Sequence, residues 1–256
     1  MAGPLGKTLL RILYACRRLI GTRAEAAVLK LVNPEHDRFL PPDLSPEEFF
    51  RRLDERQVEY VVLRWFEELP KLARKQDLDL LASDETVATL RAELTLWPVG
   101  HPVDVYSVSG VAGTAYQLPD AGGSRRVPIP VLPPQIASGV LGRRIRFNDL
   151  CFVPCPSDHF CALAYHITYL KAVGLGLPIH HRPEVLNTAS HDYSARLIEL
   201  ADRAGISIPG AVSRDSLDDL LAEMGWRPPV DQLRAIAASA SWLQRKHFNE
   251  QRSEAA

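Results

Sequence analysis

Cysteine is scarce. Four in 256 residues are too few for a disulfide scaffold, and free thiols suit a reducing cytoplasm. Long apolar runs are missing as well: nothing approaches the roughly 18–20 residues that a membrane-spanning helix needs. An excess of one charge is also lacking. Thirty Lys and Arg stand against 31 Asp and Glu, for a formal net charge of -1, so general electrostatic binding of nucleic acid is not expected. No G-x-x-x-x-G-K-[ST] phosphate loop, no G-x-G-x-x-G after a strand and no Ser-His-Asp spacing occurs. Internal repeats and low-complexity tracts are absent. Collagen, coiled-coil, transmembrane and wholly disordered classes fall away, leaving a globular protein with an expected cytoplasmic location.

What is present begins with proline. Twenty prolines in 256 residues, about 8% against a usual roughly 5%, cluster between segments and so punctuate structure. Residues 1–24 carry Lys7, Arg11, Arg17, Arg18 and Arg23, with no acid before Glu25. Leu9, Leu10, Ile12, Leu13, Cys16, Leu19 and Ile20 recur there at helical spacing, predicting a basic amphipathic helix. A secretory signal is not expected, because Arg11 interrupts the apolar run and no small-residue cleavage site follows. Packing on the domain, a transit peptide, and contact with an anionic membrane surface, at the inner face of the membrane, are all open to such a helix.

The rest of the chain predicts an α+β protein. Residues 1–44 hold the amphipathic helix and a connector, residues 45–150 a mixed α/β lobe, and residues 151–256 a helical lobe. Ser45, followed by Pro46, Glu47 and Glu48, reads as an N-cap with an acidic first turn for a helix to about Arg56. Strands are expected at 58–66, 77–82 and 101–108, with a helix capped by Ser83 between the last two. Residues 110–135 read as Gly- and Pro-rich, with short β-like pieces and a mobile loop at Ala121–Gly123. Helices are expected from Ser157 to Gly174, near 191–204 and 214–224, and from 229 to 248. Such a two-lobed chain is expected to leave a cleft between the lobes.

The informative pattern is Asp77-Leu78-Asp79-Leu80-Leu81. In a strand, side chains alternate faces, so Asp77 and Asp79 are expected on one side with Leu78 and Leu80 in the core. Like charges so close repel unless a cation or water separates them. Asp104, between Val103 and Val105, lies in another short strand one helix later. Three carboxylates from two neighbouring strands would form a hard oxygen site suited to Mg²⁺ or Mn²⁺.

The run VEYVVLRWFEELP, followed by DLDLL and HPVDVYS, resembles the nucleotidyltransferase superfamily, which has the DNA polymerase β-like fold. It is most similar to a large, poorly characterised bacterial branch, many of whose members are encoded beside surface-polysaccharide genes. The resemblance covers roughly residues 45–175 and includes the step from PPQIASG to CPSDHFCALAYHITYLKA. It implies a magnesium-dependent transferase that moves a nucleotidyl group to a hydroxyl of a small or glycan-linked acceptor. In that mapping Asp77, Asp79 and Asp104 bind metal, Asp104 activates the acceptor hydroxyl, and the helical lobe shapes the acceptor pocket. One departure stands out. Such proteins usually carry Gly-Ser or Gly-Gly after the first strand, whereas this chain has Leu63-Arg64-Trp65-Phe66-Glu67. Arg64 could replace the missing amides with a charge-assisted phosphate contact, or it could form a surface ion pair with Glu67 or Glu68.

Further residues are weaker candidates. Glu67, His159 and Arg144 could line the expected cleft, with His166 two helical turns beyond His159. Cys151, Cys155, His159 and Cys161 invite a zinc reading, but the spacing lacks a C-x2-C knuckle, and buried free thiols account for it more simply. Arg125-Arg126, the Arg143–Arg146 cluster and His180-His181-Arg182 are solvated faces or anion contacts. Two other functions fit the same residues. One is a metal-dependent glycosyltransferase that uses the DxD pair. The other is an inactive nucleotidyltransferase-fold scaffold, which the missing glycines favour.

Overall fold

The computed structural model describes residues 4–17, 21–33, 37–73, 76–119, 126–171 and 192–249. The predicted loop at Ala121–Gly123, the helix stop at Gly174, Arg125 and the His180–Arg182 cluster lie outside the described residues. Helices and small sheets mix along the chain, as expected of an α+β protein. Two compact units result, Met1–Ser107 with Arg144–Val153, and Val108–Arg143 with Pro154–Ala256. The chain thus crosses between units three times, where its pattern suggests one break near residue 150.

The first unit opens with α1 (Pro4–Cys16) and α2 (Gly21–Val32), two helices where the sequence suggests one. A two-residue strand, β1 (Arg38–Phe39), follows inside the expected connector. Helix α3 (Pro46–Glu55) starts at Ser45, whose Oγ accepts from the Glu48 amide at 3.2 Å. It buries Phe49, Phe50 and Leu53 completely, each contributing roughly 1.5–3 kcal/mol. Strand β2 (Tyr60–Val62) is shorter than its apolar run, β3 spans Leu78–Ala82, α4 spans Val87–Ala92 and β4 spans Pro102–Ser107.

These strands form one sheet in the order β1-β4-β3-β2. β3 runs parallel to β4 and antiparallel to β2. Its central place explains why all five of its residues are buried, since a strand flanked on both edges and covered on both faces reads as continuous core. The stack of Phe50 on Tyr60, with centroids 5.9 Å apart, ties α3 to the sheet. A hairpin of Ile145–Phe147 and Cys151–Val153 closes the same core, Phe152 meeting Tyr60 edge-on at 5.8 Å. Gly100 is needed where it stands, because a Cβ there would lie 1.7 Å from the Leu40 carbonyl oxygen.

Among its described residues the second unit contains a hairpin, β5 (Tyr116–Pro119) with β6 (Arg126–Ile129), and six helices. These are α5 (Pro134–Gly142), α6 (Pro156–Tyr165), α7 (Tyr193–Ala204), α8 (Arg214–Glu223), α9 (Val230–Ala237) and α10 (Ser241–Gln244). α6 passes into a π-helical turn at His166–Leu170, and α10 into another at Arg245–Asn249. α8 has a capping box between Ser213 and Ser216. The long final helix expected from 229 to 248 is therefore broken around Ser239–Ala240.

Candidate functional site

The register of the parallel pair sets the site. Asp79 on β3 lies directly across from Asp104 on β4, with Leu78 opposite Val103 and Leu80 opposite Val105. The flanking apolar side chains are buried and fix both backbones. Asp77 precedes β3 and is exposed, as is Asp104, whereas Asp79 is buried. The expected alternation therefore holds only in part: Asp79 does not share the solvent with Asp77.

The reason is Arg64. Its guanidinium makes a bidentate pair with Asp79, Nε to Oδ2 at 3.2 Å and Nη2 to Oδ1 at 2.5 Å. Both side chains are almost fully enclosed, at 5% and 9% exposure. The Leu63 amide donates to the Asp79 carbonyl at 2.8 Å, which carries the β2–β3 ladder to the edge of Arg64 and aims its side chain along β3. An exposed pair with Glu67 or Glu68 is thus not what forms. Burial works against the Arg64 charge, but Asp79, with Asp104 adding to it, outweighs that and holds the pKa above the ordinary arginine value.

Asp104 is shifted in the unusual direction for an aspartate. Crowding by protein atoms is the first cause, and the charges of Asp79 and Asp77 add to it, so its pKa is pushed up to about 6. The Tyr106 hydroxyl donates to Oδ2 at 3.2 Å and offsets part of the shift, as does the Arg64 charge. The side chain still reaches solvent, so neighbouring charge has much to do with the shift. Three carboxylates and one guanidinium leave two uncompensated negative charges when all are ionised. In charge and in donor type that suits one divalent cation. As the side chains stand, no group of three or more His, Cys, Asp or Glu among the described residues is disposed to hold a metal ion.

After Arg64 the chain turns at Trp65, whose φ is +56°. That left-handed conformation favours glycine and is uncommon for a bulky residue. The backbone therefore takes a glycine-like course where the sequence lacks glycine, and the Gln76 side chain steadies it by donating to the Trp65 carbonyl at 3.0 Å. A residue pattern without glycine gave no signal for this turn.

The weaker candidates are scattered. Arg144 lies in the first unit, paired with Glu59 at 3.0 Å and stacked 5.0 Å over Phe152. Glu67 lies in the turn after β2, and His159 is buried in α6 of the second unit, as His166 is at the start of its π turn. Arg143 forms a two-bond clamp on the buried Asp158, at 3.0 and 2.9 Å. All four cysteines are free, and Cys151 belongs to the first unit while Cys155 and Cys161 belong to the second. A polar cleft of about 330 Å³ in the first unit is lined by Tyr14, Arg17, Asp43, Arg52, Glu93 and Thr95 among others, and by none of the three site aspartates.

Comparison with protein-family models, curated proteins and solved structures finds no match to this chain.

Proposed function

We propose that this protein is a nucleotidyltransferase-like enzyme, moving a nucleotidyl group to a hydroxyl of a small or glycan-linked acceptor with one divalent cation, Mg²⁺ or Mn²⁺. The observation that carries the reading is the in-register pair of Asp79 and Asp104 on adjacent parallel strands, with Asp77 one step upstream. Asp77 and Asp104, the two exposed carboxylates, would hold the cation, and Asp79 would join them if Arg64 turned away. When bound, the cation would supply charge neutralisation for a triphosphate and for the pyrophosphate that leaves as the acceptor oxygen bonds to the α-phosphorus.

The residues of the chain would do the rest. A carboxylate with a pKa of about 6 is still mostly ionised at neutral pH, yet takes a proton more readily than an ordinary aspartate. Asp104 would therefore accept the proton of the acceptor hydroxyl, held in orientation by Tyr106. Arg64, released from Asp79, would present its two-pronged donor edge to phosphate oxygens. Isothermal titration with ATP, CTP, GTP and UTP in Mg²⁺, beside Asp77→Asn, tests the reading. Metal-dependent binding of one nucleotide that the variant loses is expected. Silence with all four would sink it.

The Arg64–Asp79 clamp itself favours a second reading, an inactive scaffold in which arginine permanently takes the place of a metal. That reading predicts no nucleotide binding. It also predicts that replacing the pair by Met and Leu, which fill similar volume, leaves the protein's other properties unchanged.

A further inference from the structure

Among the described side chains of helix α1, Tyr14 is the buried one. It is the helix's anchor: the ring meets Trp97 edge-on at 6.4 Å, and the hydroxyl donates to Asp43 Oδ1 at 2.9 Å. Arg17 lies 3.6 Å over the same ring and donates to the Tyr14 carbonyl at 2.7 Å. Trp97 also donates to Glu25 of α2 at 2.9 Å, so both helices share one fastening point. Leu9 and Ile12 are three residues apart, on the stripe that leads away from Tyr14. They are 57% and 55% exposed. Leu31 of α2 is 83% exposed, so three of the seven large apolar residues left exposed among the described ones lie before residue 33. Isolated exposed leucines are ordinary. A pair on one stripe of an already anchored helix is not, because the helix had the option of turning that stripe inward.

Charge indicates what covers it. Residues 1–24 contain five basic side chains and no acid, in a chain whose overall charge is -1. The positive charge is thus concentrated in the same stretch of sequence as the exposed stripe, and the remainder of the chain is net negative. Arg11, between Leu9 and Ile12 in sequence, is exposed. At 13 residues α1 is about 20 Å long, too short to cross a bilayer, and no described helix is long and apolar enough to do so. Arg11 falls about 100° round the helix from Ile12 and about 160° from Leu9, and a short helix with an apolar stripe and basic residues on another face is the pattern that lies in the headgroup layer of an anionic leaflet.

We infer that α1 docks this protein on an anionic lipid surface, Leu9 and Ile12 entering the acyl boundary and the basic side chains meeting the headgroups. The inference does not depend on the proposed enzyme activity. Co-sedimentation of the full chain tests it, using vesicles of equal parts phosphatidylcholine and phosphatidylglycerol beside pure phosphatidylcholine. Binding to the anionic vesicles alone is expected, weakened by salt. Leu9→Glu with Ile12→Glu should lower the partition coefficient at least about tenfold, with an unchanged circular dichroism spectrum because both residues face solvent. Arg11→Gln with Arg18→Gln should remove the preference for the anionic vesicles. No binding to either vesicle, or equal binding to both, overturns the inference. So does a concentration-dependent dimer in vesicle-free solution that the Leu9/Ile12 variant abolishes, which would assign the stripe to a second copy of the chain.

Discussion

Each unit encloses a carboxylate among charged neighbours, and the two are shifted in opposite directions. In the second unit Asp218 is fully buried and has more partners than it needs. Tyr169 donates to it at 2.7 Å, Arg227 reaches both oxygens at 3.2 and 2.8 Å, Lys246 lies at 3.1 Å and His247 at 3.0 Å. Burial alone would raise its pKa, but Arg227, Tyr169 and Lys246 reverse that and hold it below the ordinary value. In the first unit three aspartates share one arginine among the described residues, and Asp104 rises to about 6. A carboxylate that joins α8 to the C-terminal turn is compensated on every side. A carboxylate left under-compensated, within an inner strand yet open to solvent, retains the capacity to bind something more. That difference is the physical basis for proposing function at Asp104 and architecture at Asp218.

The largest effect should come from breaking the enclosed pair. Arg64→Met strands Asp79 in a place that water barely reaches, and should cost about 3–5 kcal/mol in urea unfolding. Arg64→Met with Asp79→Leu should recover most of that. Mg²⁺ should raise the melting temperature of Arg64→Met more than that of wild type, since the variant's site has lost the guanidinium that compensated Asp79. No such difference would count against a cation at this site.

Asp218→Ala should cost less, about 3 kcal/mol, because Arg227 and Lys246 are 31% and 22% exposed and can turn to water once released. The pH dependence has a fixed sign. With its folded pKa below the ordinary 3.8, Asp218 stabilises the fold above about pH 4, and this is lost as pH falls through the folded value. Between pH 3 and 5 the wild type should lose stability more steeply on acidification than Asp218→Ala.

Asp104→Asn should do the reverse. Because the folded pKa of Asp104 is raised, ionising it costs stability, and that cost appears as pH climbs from the ordinary 3.8 to about 6. The Asn variant should match wild type near pH 4 and exceed it by about 1 kcal/mol at pH 7, the solvent that Asp104 reaches keeping the gain small. Equal stability at both pH values would remove the argument that this carboxylate is crowded. The same variant should abolish turnover if the proposed activity is correct.

Much of the frame was legible in the residues. The Ser45 cap, the buried Tyr60–Val62 run and the strand–helix–strand path from Leu78 to Ser107 follow from local patterns, and Asp79 and Asp104 are framed by the apolar neighbours that fix their register. What escaped was set by tertiary partners. Nothing local in Leu63-Arg64-Trp65 says that the guanidinium will turn inward to Asp79, fifteen residues on. The strand at Arg38–Phe39 is held by pairing with Val103 and Pro102, not by its own two residues. Asp218 gave no signal, because its partners come from Tyr169, Arg227, Lys246 and His247, on separate elements.

The finest comparison reads each unit through its own buried thiol instead of through total stability. Cys151 in the first unit and Cys161 in the second are both fully buried, and desolvation pushes each thiol up to about 12. At pH 8 each is then roughly one part in ten thousand thiolate, so a thiol reagent should reach it only when the surrounding structure opens. Cys16 and Cys155 are partly exposed and should react first. The two slow rates, separated by peptide mapping of the labelled protein, then report the opening of each unit. Arg64→Met should accelerate Cys151 and Asp218→Ala should accelerate Cys161, each leaving the other thiol near its wild-type rate. Equal acceleration of both thiols by either variant would mean that the two units open as one cooperative body, and that the contrast between Asp104 and Asp218 is one of chemistry and not of separate stability.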